Sequence, residues 1–380
     1  MPSLKRNVFV LSFLIAGISG LQAQTAIKPR ISNASVYTGI EVGSKGVKMS
    51  VIEIGKNAKT NGSFSILKDT SVNTDFISFS ENSFQATLKG LCGLFNTATQ
   101  VYEIPSSKVF TVISSGVKMQ AEKDDKTAFV ERLIDSFRVK INEPGRQVEV
   151  VDVMKEAMLS HLGIVPESRR YTTFLLDIGS GNTKGGFFPE GNTKNFKLFQ
   201  LNWGTKSVFN ATDKRLDGDL SLVNFNKQLN RVLYAAENSE IIYAVNNSGA
   251  YALSDNIAVS GGIAWAVATL MHPEMLDNPV IPVSYDEVLK FSNKLMENMD
   301  ALKPEFLALN FNVPAEKANV LKETARVHGV FDQKSLMSGT GLLLKIMRQF
   351  QSAFETKKFY LVKNGQVGWV SAYVDQSLSN

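Results

Sequence analysis

Apolar and polar residues alternate in two separate parts of the chain. From residue 34, "ASVYTGIEVGSKGVKMSVIEIGK" alternates on both sides of a glycine pair, which predicts a β-hairpin turning at Gly43–Gly46. From residue 172, "TTFLLDIGSGNTKGGFFPEG" has the same shape and predicts a second hairpin. Strands and helices follow each of them. In the first copy, "GSFSILKDTSVNTDFIS" reads as a third strand and Phe84, Leu88, Leu91 and Phe95 keep helical spacing. "KVFTVISSGV" reads as a buried strand, and Phe129, Leu133, Ile134 and Phe137 mark one face of a helix. "RQVEVVDVMKEAMLSHLGI" begins as a strand and becomes a helix near Val153.

The second copy continues with a strand and glycine turn in "NFKLFQLNWGTKSVFN" and a helix in "LSLVNFNKQLNRVLYAAEN". "NIAVSGGIAWAVATLMH" predicts a strand, a Gly261–Gly262 turn and a helix. Ser284 with Glu287 three residues later has the form of a capping box at the start of another helix. "PAEKANVLKETARVHGVF" reads as a helix, and "KSLMSGTGLLLKIMRQF" as strand, glycine turn at Gly339–Gly341, and helix. "KKFYLVKNGQVGWVSAYV" reads as a closing hairpin at Asn364–Gly365. The expected organisation is a duplicated α/β unit: a lobe over 34–168, a second over 169–350, and a hairpin extension over 351–380.

Residues 1–23 stand apart. "MPSLKRNVFVLSFLIAGISGLQAQ" has a basic start, an apolar run from Val8 and small residues before a cut after Ala23, the layout of a secretory signal peptide. The run is short for a membrane span of about 20 residues. The expectation is a periplasmic or secreted protein with no membrane span after cleavage. The remaining 357 residues suit two domains. The formal charge of +5 falls to +3 once Lys5 and Arg6 are removed, leaving 39 basic against 36 acidic residues. So small a charge, with no basic run, argues against nucleic acid as a partner. Cys92 is the single cysteine, which excludes an intramolecular disulfide and a multi-cysteine zinc site; in "LKGLCGLFN" it reads as a core thiol. His161, His272 and His328 have no metal-site spacing and read as core or surface residues.

The candidate chemistry lies in the glycine turns. A glycine turn lets backbone N–H groups approach a ligand closely, and such nests bind phosphate oxygens. In the two hairpins an acid precedes the turn and a hydroxyl residue follows: Glu41 with Ser44, and Asp177 with Thr183. An acid so placed can hold Mg²⁺ or orient water. Two lobes of this kind would clamp a phosphate chain from opposite sides.

The ordered motifs resemble the exopolyphosphatase / guanosine pentaphosphate phosphohydrolase (Ppx/GppA) family of the actin-like and sugar-kinase superfamily. "IEVGSKGVKM" resembles that family's first phosphate loop and "LDIGSGNTK" its second. "VISSGVK", "EVVDVMKEAMLSHLGI", "AVSGGIAWAVATL" and the region from Pro314 to Met347 are similar to its later segments, in order, from about residue 36 to residue 350. The resemblance implies a duplicated ribonuclease H-like (actin-like ATPase) fold with a ligand cleft between two lobes. It also implies a hydrolase of phosphoric anhydrides with Mg²⁺ or another divalent metal as cofactor. Glu156 is then the base that activates water. Gly43, Ser44, Lys45, Lys48, Lys118, Gly179, Ser180, Gly181, Asn182 and Thr183 bind phosphate, and Glu41 and Asp177 hold the metal. The partner is polyphosphate or a phosphorylated small molecule, and a homodimer is compatible with this reading.

Six positions depart from the family pattern. Glu41 replaces Asp, Ser180 a Gly, Asn182 a Ser, and Lys184 the usual Glu. Lys48 and Lys118 stand where arginines are expected, keeping charge but losing the bidentate fork. These departures open an alternative, a phosphate-binding or scaffold protein of the same fold that has lost turnover. A filament-forming or chaperone-like ATPase is a third reading, disfavoured because nucleoside triphosphates are scarce outside the cytoplasm.

Overall fold

The computed structural model describes residues 27, 29, 34–55, 64–189, 191–250, 254–351, 356–363 and 365–378. The leader expected over 1–23 lies outside them. The amino-terminal lobe is built on β1 (Ser35–Val42), β2 (Gly46–Ile54), β3 (Phe64–Asn73), α1 (Glu81–Asn96), β4 (Val109–Ile113), α2 (Ser115–Lys123), α3 (Thr127–Lys140), β5 (Val148–Val150) and α4 (Val153–Ile164). The carboxy-terminal lobe follows with β6 (Thr173–Ile178), β7 (Thr183–Phe187), β8 (Lys197–Leu201), α5 (Thr205–Asp213), α6 (Leu222–Ala236), α7 (Ile242–Asn247), β9 (Asn256–Ser260) and α8 (Gly262–Met271). It continues with β10 (Val280–Val283), α9 (Tyr285–Glu297), α10 (Pro304–Leu307), α11 (Pro314–Val330), α12 (Gln333–Phe350), β11 (Lys358–Val362) and α13 (Gly365–Ser377).

The duplication expected from the hairpins is present in the sheets. The first runs β3-β2-β1-β4-β5 and the second β10-β11-β9-β6-β7-β8. In each, the hairpin strands are antiparallel and the first of them pairs in parallel with a later strand, β1 with β4 and β6 with β9. That strand pairs in parallel again, β4 with β5 and β9 with β11, so the second sheet repeats the first and adds β10 at its edge.

Alternation decides which side chains face which helices. Ile40, Val42, Val47, Met49 and Val51 point to one face of the first sheet, where α1 and α3 cover them with Phe84, Leu88, Leu91, Leu133 and Phe137. The opposite face carries Gly39, Glu41 and Lys48, and it is packed by α13. Helix α4 lies between α13 and the hairpin strands of the second lobe. The second lobe has the larger core, in which α8 and α12 are buried with the apolar face of β6 and β9.

Two expectations about the carboxy-terminal third are corrected. Residues 333–350 form one continuous helix, not strand, turn and helix. Gly339 and Gly341 lie buried inside it, where an added Cβ would stand 2.6 Å from Ile263 and 2.5 Å from Leu233. They are glycine so that α12 can touch α8 and α6, and they form no ligand turn. The hairpin expected at Asn364–Gly365 is strand β11 followed by helix α13. This helix returns to the first lobe: a Cβ on Gly39 would stand 2.1 Å from Val370, and one on Gly163 2.1 Å from the Gly368 carbonyl oxygen. Cys92 is half-buried against the first core rather than enclosed in it.

Helix α4 also buries His161. Its Nε2 lies 2.9 Å from the Thr173 carbonyl oxygen, to which the neutral ring donates, and the ring packs edge-on against Phe188 and Phe196. Nδ1 has no hydrogen-bond partner among the described residues. Burial, aided by Arg170, pushes the imidazole down to about 4 despite the Thr173 bond. A histidine depressed in the fold contributes stability that is complete above about 6.5 and is lost as pH falls towards 4. Thermal melts between pH 4 and 8 are expected to lose on the order of 2–3 kcal/mol across that window through this residue. The variant His161→Gln should lack that part of the slope; an unchanged slope would show that acid lability arises elsewhere.

Candidate functional site between the lobes

The two hairpins present their acids in the same way. In β1 and β2, Glu41 stands directly opposite Lys48; in β6 and β7, Asp177 stands directly opposite Lys184. Each turn closes by the same bond, from the Gly43 amide to the Gly46 carbonyl at 2.8 Å and from the Gly179 amide to the Asn182 carbonyl at 2.9 Å. Lys184 is thus the duplicate of Lys48. Both copies read acid-x-Gly-Ser-x-x-x-Lys, and this seven-residue spacing from acid to lysine was the signal that could have found the relation.

Glu156 comes to these pairs from the first turn of α4, whose N-cap Asp152 accepts from the Lys155 amide. Glu156 is 2% exposed. One carboxylate oxygen lies 2.8 Å from Lys184 Nζ and the other accepts from the Ser115 amide at 2.6 Å. Lys184 Nζ also lies 3.5 Å from Asp177 Oδ2, and Lys48 Nζ lies 3.7 Å from Glu41 Oε2. Ser260, at the end of β9, places its hydroxyl 3.3 Å from Asp177 Oδ1. At the next residue, Gly261 takes a φ of 100°, and a Cβ there would meet the Ile178 carbonyl oxygen at 2.3 Å. The predicted Gly261–Gly262 turn therefore packs on the acid strand.

Electrostatics follow from this burial. Burial pushes Glu156 up, but the Lys184 ammonium and the Ser115 hydrogen bond outweigh it and hold the carboxyl below the usual range. Burial pushes Lys184 down, and Glu156 and Asp177 more than reverse this, so it stays charged. Glu41 is raised, mainly by burial against a weaker pull from Lys48, with Glu156 and Asp177 adding repulsion. Its Oε2 has no hydrogen-bond partner among the described residues.

The expected phosphate ligands divide. The amides of Gly43 and Gly179 are used within their own turns, so neither donates to a ligand. Thr183 is buried and its hydroxyl donates to the Trp203 carbonyl at 2.7 Å, so it secures the connection from β8 to α5 instead. The carbonyls of Gly179 and Ser180 accept the Thr205 and Lys206 amides, which ties that turn to the start of α5. Asn182 reaches across to the first lobe, with Nδ2 3.7 Å from Met119 Sδ. Ser44 lies under the start of α2, 3.2 Å from the place of a Cβ on Gly116. Gly181 is exposed, and Lys118 is half-buried on α2. Lys45 is drawn to Asp75 at 2.7 Å, and Lys206 of the other lobe reaches the same carboxylate at 3.4 Å.

A metal held by Glu41 and Asp177 does not fit this arrangement. Lys184 already pairs with Asp177 and Glu156, burial disfavours charge on Glu41, and no three His, Cys, Asp or Glu side chains among the described residues are grouped to hold a metal ion. Lys184, a departure from the family pattern in the sequence, lies among these acids.

No protein-family model and no curated protein matches the sequence. Among solved structures, a Ppx/GppA family member from Aquifex aeolicus superposes with a TM-score of 0.60 at 16% identity, covering 91% of this chain and 98% of its own. An exopolyphosphatase-like protein gives 0.59 at 12% identity, with 91% and 99% covered. An exopolyphosphatase from Cytophaga hutchinsonii gives 0.55 at 14% identity, with 90% and 98% covered. With its paired sheets and its acid–lysine hairpins meeting at α4, the chain has the two-lobed, actin-like fold of the Ppx/GppA structures.

Proposed function

We propose that this chain is an exported phosphohydrolase that releases phosphate from polyphosphate or a related phosphoanhydride in the cleft between its lobes. The observation that carries this reading is Glu156, an ionised, buried carboxylate fixed by the Ser115 amide where the two hairpins meet. Solved exopolyphosphatases share the fold. Export rests on the leader-like start of the sequence.

In the reaction, Glu156 orients water through a lone pair not used by Lys184 or Ser115. The water oxygen bonds to the terminal phosphorus as the bridging P–O bond breaks. The shortened chain leaves with the bridging oxygen, and the water proton passes to Glu156. Little base strength is needed where the transition state is loose, so a lowered pKa does not disqualify the carboxylate. Amides of Ser44, Ser180 and Gly181 donate to phosphoryl oxygens, with Lys48 and Lys118 balancing charge.

Purified protein is expected to release inorganic phosphate from a panel of polyphosphates and nucleotides, and Glu156→Gln to lower the rate by about 10²-fold or more. An equal rate in the variant would overturn the role of Glu156. A second reading, binding without turnover, is favoured by one observation: both Glu156 oxygens are already engaged. Heat of polyphosphate binding with no phosphate release would establish that reading; neither heat nor release would dismiss both.

A further inference from the structure

We infer that Lys184 is a tethered cation standing in for a divalent metal ion, so that the cleft handles its phosphate ligand without metal bound to Glu41, Glu156 and Asp177. The substrate in this statement rests on the function proposed above; the exclusion of metal does not.

Lys184 is fixed by its strand. Thr183 before it is bonded to the Trp203 carbonyl, and Gly185 after it lies so close to β6 that a Cβ would stand 1.9 Å from the Leu175 carbonyl oxygen. The cross-strand register then sets its side chain on the face of Asp177. With 5% of the residue exposed, the ammonium is enclosed by the acids and cannot be traded for a hydrated ion without moving β7. Without metal, Lys184 and Lys48 already stand against the three carboxylates, leaving at most one negative charge uncompensated. A divalent ion ligated by Glu156 or Asp177 would lie within a few ångströms of Lys184, where like charges repel strongly in a buried site. An ammonium has three donors on a compact charge, so Lys184 can stay paired with Glu156 and Asp177 and turn its remaining donor to a phosphoryl oxygen.

The decisive experiment is a Mn²⁺ titration of the protein alone, followed by calorimetry and by the electron paramagnetic resonance signal of free Mn²⁺. The wild-type protein should show no stoichiometric site. Lys184→Ala, which removes the cation from between Glu156 and Asp177, should acquire a site at least tenfold tighter than any binding by the wild type. Lys184→Met, which keeps much of the side-chain volume, shows by its melting curve and circular dichroism whether loss of the charge alone unfolds the protein. A stoichiometric site in the wild type that is lost in Asp177→Asn or Glu156→Gln overturns the inference. So does a folded Lys184→Ala that binds no Mn²⁺. If both Lys184 variants unfold, the wild-type titration alone decides: no site supports the tethered cation, and a site sensitive to Asp177→Asn refutes it. Because no polyphosphate is present, the result stands even if the protein neither binds nor hydrolyses that polymer, an outcome that would defeat the proposed function alone.

Discussion

Lys184→Met is expected to destabilise the protein by about 3–5 kcal/mol at pH 8, because removing one partner of a buried ion pair leaves the other uncompensated. The charge left behind is mainly that of Glu156, with Asp177 next to it. In the wild type, Glu156 titrates below its usual range, so its contribution is present above about 4.5 and is lost as pH falls through the lower folded value. Without the ammonium, burial becomes the dominant influence and raises Glu156 instead. The deficit of the variant should therefore shrink as pH falls from 8 to 5, since protonation removes the stranded charge. Denaturant unfolding at the two pH values measures this. The double variant Lys184→Met with Glu156→Gln should recover part of the loss, which an additive pair would not. A deficit under about 1 kcal/mol, or one independent of pH, would mean that water reaches the cluster and solvates it.

Gly163→Val is expected to cost about 3 kcal/mol or more, at the upper end of overpacking penalties. The clash differs from an ordinary crowded side chain. The new Cβ would stand 2.1 Å from the Gly368 carbonyl oxygen, a backbone atom, and no rotamer change moves a Cβ, so none relieves it. Relief requires α4 and α13 to move apart, opening the contact among Val112, Val151, Leu159, Trp369 and Val370. Limited proteolysis should then cut within 365–377 faster than in the wild type. Gly145→Ala is the control, since nothing lies within 4 Å of its Cβ position, and it should be neutral within about 0.5 kcal/mol. If the two variants melt alike, the α4–α13 contact does not support the first lobe.

These two sites mark where the sequence could be read and where it could not. The hairpins were legible because one face of each strand is buried, which writes period two into the residues around Gly43 and Gly179. Helix α1 was legible for the same reason at period 3.6. Helix α13 was not. Trp369, Val370, Ala372 and Val374 are all buried, so no polar stripe remained to show its period, and Asn364–Gly365 has the composition of a hairpin turn. Gly339 and Gly341 misled in the same way, being glycines of close helix contact. At the site, the acids and glycines could be placed by motif. The union of Lys184 with Glu156 could not, because it joins a strand of one lobe to a helix between the lobes, 28 residues earlier.

Helix α13 also bears on the order in which the protein can mature. Gly39 of β1 meets Val370, roughly 330 residues further along the chain. Until that stretch has left the ribosome, one side of the first sheet has no cover, and Ile52 and Ile54 lack the contact made by Val374. The first lobe is thus expected to stay loose through most of synthesis and to close late. The export proposed above would gain from that delay, since premature closure of the leading half would obstruct passage.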